Sequence, residues 1–305
     1  MPTVSVPIAT YNRSKFLVEC LDSVLAQTYR DLEIIVVDDG STDNTEEVAA
    51  QYGDRIKYVR HEHRGNIGTY YHARALCTGK YMTYFGDDDV LFPDYVERGI
   101  EILESDPNIV KFCSDCYTIN RDSKRIGEQT YLHGYHRPSG KVTLDDLFIY
   151  GCFVHGGIDR RSTFEQIGYF DPDFPHAGDY DLYLRMTGAG YSIYYLDEPL
   201  LYYRIHPGMR SHRESEMWKE TVAVLERNLE RFPQVHEHMG HKIERKLGMN
   251  KAWLAVRLFW ERQLGESFHY ALSATRHYPP AVVLGALQMA YSNLKGRRSV
   301  YQSGD

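Results

Sequence analysis

The chain has 305 residues, 43% of them hydrophobic, which is enough apolar material for one large domain or two small ones. Its formal net charge is -7 and its sequence pI is near 6.1, so no overall positive charge favours nucleic acid as a partner. No apolar run reaches the roughly 18 residues that a transmembrane helix needs. The first residues enter a strand pattern without a signal peptide, and we expect a cytoplasmic protein.

The five cysteines lack the regular pattern of a secreted disulfide framework. Cys113 and Cys116 make a C-x-x-C pair, but no second pair follows that would complete a zinc site. We therefore expect buried thiols in a reducing compartment rather than zinc or redox chemistry.

Strand and helix patterns alternate over roughly the first 115 residues. The segment VSVPIAT (Val4–Thr10) predicts a first strand, and apolar residues between positions 17 and 25 recur at the spacing of one helical face. The unbroken apolar run at residues 32–39 is typical of a strand buried on both faces of a parallel sheet. Further strands are predicted at residues 56–60, 81–85 and 109–113. This alternation favours a doubly wound α/β sheet.

The pattern changes after residue 115. Residues 116–155 are less regular, and we expect them to wrap the sheet and meet a second ligand. A helix is predicted at residues 179–187, followed by two strands at 191–196 and 200–206. From residue 214 onward the pattern is helical, with breaks near Pro233, Gly265 and Pro279.

Carboxylates follow two of the predicted strands directly. In doubly wound sheets, ligands bind outside the carboxyl ends of the strands. Asp87, Asp88 and Asp89 would repel one another there unless a cation or water screened them, and hard oxygen ligands suit Mg²⁺ or Mn²⁺. The alternative is a solvated acidic turn. Of the earlier pair, Asp38 suits a turn that binds local N–H groups, while Asp39 suits a hydrogen bond from a base or ribose.

Four segments carry a resemblance to a known family. The run VSVPIATYNRSKFLVECLDSVLAQTYRDLEIIVVDDGSTDNT resembles the opening of the family 2 glycosyltransferases, which have the GT-A fold, and NIGTYYHARALCTGKYMTYFGDDDVLFPDYVE resembles their middle segment with its D-x-D-type metal motif. IGYFDPDFPHAGDYDLYLRM resembles the segment that carries their catalytic base, and YYRIHPGMRSH the stretch that closes over the donor phosphates. The resemblance covers about residues 3 to 212.

The resemblance implies a GT-A fold, which is a doubly wound mixed sheet flanked by helices, here with a helical C-terminal appendage. The implied glycosyltransferase domain spans residues 1–212, with a nucleotide-sugar-binding half at 1–115 and an acceptor-binding and catalytic-base half at 116–212. Residues 213–305 form the helical C-terminal region.

The resemblance also implies a nucleotide-sugar site. Ala9, Tyr11 and Asp39 would line the nucleobase pocket, with Tyr11 stacking on the base and Asp39 accepting a hydrogen bond. Asn66 and Arg74 would lie beside the nucleotide and the donor sugar. UDP is the preferred nucleotide, because an aspartate can accept the imide hydrogen of uracil, but guanine could donate to the same group.

A metal and phosphate site is implied next to it. Asp87 and Asp88 match the two acidic positions of the metal motif, with Asp88 the preferred ligand of Mn²⁺ or Mg²⁺ and Asp89 an alternative in another register. Arg204 and His206 would cover the diphosphate.

Asp179 matches the catalytic base, and one base without a covalent nucleophile implies a single displacement with inversion. The alternative for Asp179 is an N-terminal helix residue stabilised by the helix dipole. Asp181 is expected to be structural and to bond the backbone or Arg185. The sequence departs from the family at Gly86 and Gly178, where many members carry an acidic residue, which bears on the metal ligand and on the choice of acceptor.

The implied partners are a nucleotide-diphosphate sugar and a saccharide or lipid-linked saccharide, as in bacterial polysaccharide biosynthesis. Aromatic and basic residues at 253–262 suit either peripheral contact with the inner face of a membrane or helix packing, including in a homodimer. A nucleotidyltransferase is disfavoured because ATYNRSKF has no glycine for a phosphate loop. A non-catalytic nucleotide or carbohydrate binder is disfavoured because Asp88 and Asp179 are both intact.

Overall fold

A computed structural model of the chain describes residues 3–83, 85–128, 130, 138–151, 156–206 and 214–281. The chain forms two compact units. We call residues 1–142, 153–169 and 189–205 the sheet unit, and residues 143–152, 170–188 and 206–305 the helical unit. The predicted boundary at residue 212 stays a prediction.

The strands all belong to one mixed sheet in the sheet unit. In chain order the described strands are β1 (Val4–Thr10), β2 (Leu32–Asp38), β3 (Lys57–Arg60), β4 (Tyr81–Thr83), β5 (Val90–Leu91), β6 (Ile109–Ile119), β7 (Gly140–Val142), β8 (Ile158–Arg160) and β9 (Ser192–Arg204). Their order across the sheet is β3-β2-β1-β4-β8-β6-β9-β5, and β7 also pairs with β9.

The described helices are numbered in the same way. They are α1 (Ser14–Leu25), α2 (Thr45–Ala50), α3 (Gly65–Ala75), α4 (Tyr95–Ser105), α5 (Leu144–Tyr150), α6 (Thr163–Ile167), α7 (Gly178–Gly188), α8 (Glu214–Arg231), α9 (Pro233–Trp260) and α10 (Leu264–His277). Helices α1 to α4 and α6 lie in the sheet unit, and the others lie in the helical unit.

The parallel half of the sheet is built from the apolar runs of the sequence. Strand β1 pairs in parallel with both β2 and β4, and β2 pairs in parallel with β3. The central residues of β1 and β2 are buried, as expected for strands covered on both faces. The same apolar core includes Leu17, Leu21 and Val24 of α1, so the predicted helical face is confirmed. The carboxyl ends of β1, β2 and β4 therefore share one edge of the sheet.

The other half of the sheet is mixed. Strand β8 runs antiparallel to both β4 and β6, while β6 runs parallel to β9. The strand structure predicted at 191–196 and 200–206 is confirmed, but the two segments form one continuous strand, β9, rather than two. The β6–β9 register shifts beside the pair Asp115 and Pro199, and this irregularity lets the strand pass the proline without ending.

The helical unit has its own small apolar clusters. Val222 of α8 packs with Leu254 and Leu258 of α9, and Ala252 of α9 packs with Ala274 of α10. The breaks predicted near Pro233 and Gly265 separate these helices. Within the described residues, no helix is long and apolar enough to cross a membrane.

The four described cysteines, at positions 20, 77, 113 and 116, are buried, and no disulfide joins any of them. Cys152 lies outside the described residues. Burial raises the pKa of the Cys116 thiol, which keeps it protonated and unreactive. For the described cysteines, the prediction of buried thiols is confirmed.

An ion pair is buried where β6 meets β8. Lys111 Nζ lies 3.2 and 3.3 Å from the two carboxylate oxygens of Asp159, and both side chains are almost inaccessible to water. Burial raises the pKa of Asp159, and the Lys111 charge opposes this shift. The pair therefore depends on both partners being present.

Replacing Lys111 by methionine should lower the free energy of unfolding by about 3–5 kcal/mol, because Asp159 would be left buried without its counter-charge. Urea denaturation measures the change. The double variant Lys111→Met/Asp159→Leu is the control and should recover most of the loss, since no charge then remains buried. Equal stability of the single variant and the natural protein would contradict this account.

Candidate functional site

The site begins where β1 and β2 end side by side. Thr10 and Asp38, the last residues of these strands, are register partners, and the N–H of Asp39 donates to the carbonyl of Thr10 at 2.9 Å. Tyr11 follows β1 directly, so Tyr11 and Asp39 leave the sheet at the same edge. This is the edge at which sheets of this type bind ligands.

Asp38 is a structural residue of the turn. It is fully buried, and its carboxylate accepts the N–H of Ser41 at 2.8 Å and the hydroxyl of Tyr58 at 2.6 Å. Burial and the hydrogen bond to Asp38 raise the pKa of Tyr58, so this phenol remains a donor. The prediction that Asp38 binds local N–H groups is confirmed.

Asp39 is also buried, but its partners come from the segment that follows β3. The backbone N–H of Arg64 donates to Asp39 Oδ1 at 2.7 Å, and His63 Nδ1 lies 2.9 Å from Asp39 Oδ2. His63 Nδ1 also lies 3.2 Å from the carbonyl oxygen of Asp39. Both neighbours of this nitrogen are acceptors, so Nδ1 carries the ring proton.

The ring of His63 packs against Tyr11. Their centroids are 4.3 Å apart and the rings are tilted by 33°. Such a separation leaves no room for a third ring between them, since stacked aromatic rings need about 3.5 Å each. His63 therefore occupies the Tyr11 face and the Asp39 carboxylate at once.

Gly40 allows this close approach. Its φ is +76°, and a Cβ there would lie 3.1 Å from the carbonyl oxygen of His61 and from the N–H nitrogen of His63. A side chain at this position would strain the backbone and push the segment 61–63 away. The glycine of the Asp-Asp-Gly turn thus sets the distance between Asp39 and His63.

The acidic triplet lies beyond β4 and is buried. Asp87, Asp88 and Asp89 are 3%, 9% and 1% exposed, so they do not form the solvated turn that was the alternative prediction. Arg13, just before α1, places Nη1 2.9 Å from Asp87 Oδ1 and 3.0 Å from Asp88 Oδ2. One guanidinium nitrogen therefore bridges two carboxylates.

Gly86 lets Asp88 and Asp89 turn back on the chain. The N–H of Gly86 donates to Asp89 Oδ2 at 2.9 Å, and a Cβ on Gly86 would collide with Asp88 Oδ1. An acidic residue at position 86, which many members of the family carry, would therefore not fit beside the Asp88 carboxylate in its present position.

Electrostatics at the triplet are set by burial. Burial, followed by the nearby Asp88 charge, raises the pKa of Asp87 to about 6, while Arg13 opposes the shift. Asp87 Oδ2 is buried and accepts no hydrogen bond from the residues that the structure describes. A buried carboxylate oxygen in this state is a suitable ligand for a cation.

The triplet fits a divalent ion. Within the described residues, no three acidic, histidine or cysteine side chains surround one point as a complete metal cage. Mg²⁺ and similar ions use one or two carboxylates and take their other ligands from phosphates and water. The buried oxygen of Asp87 and the neighbouring Asp88 match this smaller requirement.

Arg204 supports the triplet from the end of β9. It is fully buried, and its Nε–H donates to the carbonyl of Asp88 at 2.9 Å. Its other nitrogens donate to the carbonyl of Asn120 at 3.1 Å, to Ser123 Oγ at 2.8 Å and to Glu19 Oε2 at 3.0 Å. The predicted contact of Arg204 with phosphate stays a prediction, and the observed contacts hold the backbone of the acidic motif.

The remaining predicted residues of the sheet unit lie close to β1 and α3. Ala9 is half-buried in β1 opposite Val37. Arg74, on α3, stacks its guanidinium on the ring of Tyr169. Asn66 lies in the first turn of α3, and its side chain is outside the described residues.

Asp179 and His206 belong to the helical unit. Asp179 is half-buried in the first turn of α7, and its Oδ1 accepts the N–H of Tyr180 at 2.8 Å. Asp181 is buried and bonds Arg185 at 2.7 Å and Asn228 at 2.9 Å, so its predicted structural role is confirmed. His206 is 9% exposed, and its predicted contact with phosphate stays a prediction.

Comparison with known proteins identifies the family. Residues 5–165, more than half of the chain, match the model described as Glycosyl transferase family 2. The chain belongs to glycosyl transferase family 2. A protein of Rickettsia prowazekii, named an uncharacterized glycosyltransferase, is 34% identical over 210 residues, which are 67% of this chain and 64% of that protein. The chain thus spans less than two thirds of this relative's length.

Two solved structures share the fold. Residues 1–349 of TarS from S. aureus, in complex with UDP-GlcNAc, superpose with a TM-score of 0.64 at 16% identity, covering 95% of this chain and 92% of that one. The mannosyltransferase PcManGT from Pyrobaculum calidifontis, in complex with GDP-Man and Mn²⁺, gives 0.64 at 20% identity, covering 98% and 83%. The predicted family and the GT-A fold class are confirmed.

Sequence reasoning missed Arg13 and His63. Arg13 lies 74 positions before Asp87, and His63 lies 24 positions after Asp39, so no local spacing links either pair. The only available signal was the strand order: an arginine two residues past Tyr11 must lie at the same edge as every other carboxyl end of the parallel strands.

Replacing Arg204 by glutamine should lower the free energy of unfolding by about 2–4 kcal/mol, because the buried carbonyl of Asp88 and three partly buried acceptors would lose a charged donor. Urea denaturation of the purified chain measures the change. Glu19→Gln is the matched control: it removes one partly exposed partner of Arg204 and should change stability by less than about 1 kcal/mol. Similar losses in the two variants would mean that Arg204 does not hold the motif.

Proposed function

We propose that this chain transfers a sugar from a nucleotide-diphosphate sugar to a hydroxyl group of a saccharide or lipid-linked saccharide, with inversion of the anomeric centre. The observation that carries the proposal is the shared edge of β1, β2 and β4, which brings Tyr11, Asp39 and the buried acidic triplet to one side of the sheet unit. Membership of glycosyl transferase family 2 supports it.

The donor would bind along this edge. Tyr11 offers a flat face and Asp39 an acceptor for a base, provided that His63 gives up its place on both. UDP is the preferred nucleotide, because the imide N–H of uracil can donate a hydrogen bond to Asp39. Guanine in GDP could donate to the same carboxylate. The two structural neighbours, bound to UDP-GlcNAc and to GDP-Man, are compatible with either base.

A divalent ion, Mn²⁺ or Mg²⁺, would be held by Asp88, with Asp87 and Asp89 beside it. When bound, such an ion neutralises the charge that develops on a leaving diphosphate. The neighbour in complex with Mn²⁺ supports this assignment. Arg204 fixes the Asp88 backbone, so the ligand is presented by a rigid segment.

Asp179 would take the proton of the attacking hydroxyl. It lies in the first turn of α7, where the N-terminal helix dipole favours the ionised form. Asp181, the other acidic residue of this turn, is already bonded to Arg185 and Asn228. Asp181 is also fully buried, whereas Asp179 is only half-buried, and this difference in access favours Asp179 as the proton acceptor.

Contact with a membrane or with a second copy remains a proposal for the helical unit. Helices α8 and α9 bury Val222, Leu254 and Leu258 in a shared core, as the packing alternative predicted. Phe259, Trp260 and Phe268 are exposed at 56%, 64% and 72%. Aromatic side chains of this kind suit the surface of a bilayer as well as a protein partner.

A thermal-shift panel of nucleoside diphosphates and their sugars, with and without Mn²⁺, tests the proposed donor class. The expected result is a raised melting temperature for one nucleotide, in the presence of metal. No shift with any of these compounds would argue against a nucleotide-sugar donor.

Replacing Asp88 by alanine should abolish Mn²⁺-dependent binding of the nucleotide, because the preferred metal ligand is lost. Isothermal titration of the preferred nucleotide, with Mn²⁺ and with a chelator, measures the effect. Asp54→Ala, in the exposed turn Gly53–Arg55, is the matched control and should bind normally. Unchanged binding by the Asp88 variant would refute the assignment.

Replacing Asp179 by asparagine should preserve binding of the donor and lower turnover by about 10²–10⁴-fold, because only the proton transfer is affected. Asp173→Asn, an exposed acidic residue of the same unit, is the control. In parallel, NMR of the product should show an inverted anomeric centre. Near-normal turnover of the Asp179 variant, or a retained configuration, would remove the proposed mechanism.

A further inference from the structure

We infer that Arg13 is a positioning residue which acts as the resident cation of the acidic triplet and makes tight metal binding depend on the nucleotide. This inference rests on the proposed function, since it assigns the metal to Asp88. It goes further by giving a named residue control over when the metal binds.

The geometry of Arg13 carries the inference. Its Nη1 bridges Asp87 Oδ1 and Asp88 Oδ2 at 2.9 and 3.0 Å, distances typical of charge-assisted hydrogen bonds. The side chain of Arg13 is 26% exposed, whereas those of Asp87 and Asp88 are 4% and 12% exposed. The cation thus covers the two carboxylates on the side from which water has partial access.

The charges show why a cation is needed at this position. Three adjacent buried carboxylates repel one another, and this repulsion is relieved most directly by a nearby positive charge. Arg13 supplies one positive charge, so the group retains about two negative charges. A divalent ion would balance these, but it would have to bind close to a guanidinium of like sign.

The nucleotide removes this conflict. A diphosphate is negatively charged, so it can lie favourably between the divalent ion and the guanidinium of Arg13. Its oxygens can also accept hydrogen bonds from that guanidinium. A metal bound without nucleotide gains no such compensation. Arg13 should therefore weaken binding of the free ion and leave binding of the metal–nucleotide pair strong, which prevents the triplet from holding a cation when no donor is present.

The Asp88 conformation supports the same order of events. Asp88 Oδ1 lies where a Cβ of residue 86 would be, and Asp88 Oδ2 faces Arg13. The carboxylate is thus held between Gly86 and Arg13. Loss of Arg13 would remove its hydrogen bonds to Asp88 and Asp87 and, with them, the like charge that a metal would meet at these two carboxylates.

The test compares Mn²⁺ binding by the natural chain, Arg13→Gln and Arg13→Lys. Electron paramagnetic resonance of free Mn²⁺ measures the affinity, first without nucleotide and then with saturating UDP or, if the chain prefers it, GDP. For Arg13→Gln we expect the affinity for Mn²⁺ alone to rise by about tenfold, because a nearby like charge is removed. The gain in affinity that the nucleotide confers should shrink.

Arg13→Lys is the matched control. It keeps the positive charge, so its affinity for Mn²⁺ alone should stay within about threefold of the natural value. A purely structural role for Arg13 would predict the opposite pattern, in which Arg13→Gln binds Mn²⁺ more weakly because the carboxylates are misplaced. Unchanged or weakened binding of Mn²⁺ alone by Arg13→Gln overturns the inference.

Two further results separate the possible failures. If the natural chain binds no Mn²⁺ even with nucleotide, the metal assignment in the proposed function fails first. If Arg13→Gln is unfolded without metal, as judged by circular dichroism, Mn²⁺ alone should restore its unfolding transition, since the ion then replaces the missing positive charge. Failure of Mn²⁺ to restore the fold would also overturn the inference.

Discussion

Burying a carboxylate removes it from water, and the lost hydration must be replaced by N–H or O–H donors or by a positive charge. At the sheet edge where β1, β2 and β4 end, this chain buries Asp38, Asp39 and the acidic triplet. Each receives a different replacement. The carboxylate of Asp38 is stabilised by local donors, that of Asp39 by a backbone N–H and an imidazole, and the triplet by the guanidinium of Arg13 and the N–H of Gly86. The loops around the sheet are arranged to supply these donors.

The different replacements sort the carboxylates by role. Backbone donors such as the N–H of Ser41 lose their hydrogen bond to the carboxylate only when the protein unfolds. Asp38 is therefore a structural residue of the turn. Under the proposed function, side chains with partial access to solvent, such as His63 and Arg13, are the ones whose contacts a bound donor would change. Arg204 is fully buried and belongs with the structural donors. Burial of the donor therefore distinguishes a supporting carboxylate from one that is available for binding.

Much of the fold follows from local sequence, and less of the site does. Apolar runs predicted β1, β2 and the buried face of α1, because strands covered on both sides must be continuously apolar. Strands β7 and β8 have three residues each and carry no such pattern, so they were not predicted. Asp39 and the triplet were found because they follow strands directly. Their partners Arg13 and His63 were not found, because the contacts join distant parts of the chain and depend on the strand order.

The pairing of His63 with Tyr11 and Asp39 bears on how selective the site can be. An imidazole is flat, donates one N–H to Asp39 and covers one aromatic face, and a nucleobase in that place would do the same. Under the proposed function, swapping one ring for another would conserve both the stacking and the hydrogen bond, so the base itself would contribute little net affinity. Discrimination between bases would then depend on hydrogen-bonding edges of the base that the imidazole lacks. The affinity for the donor would depend mainly on its diphosphate.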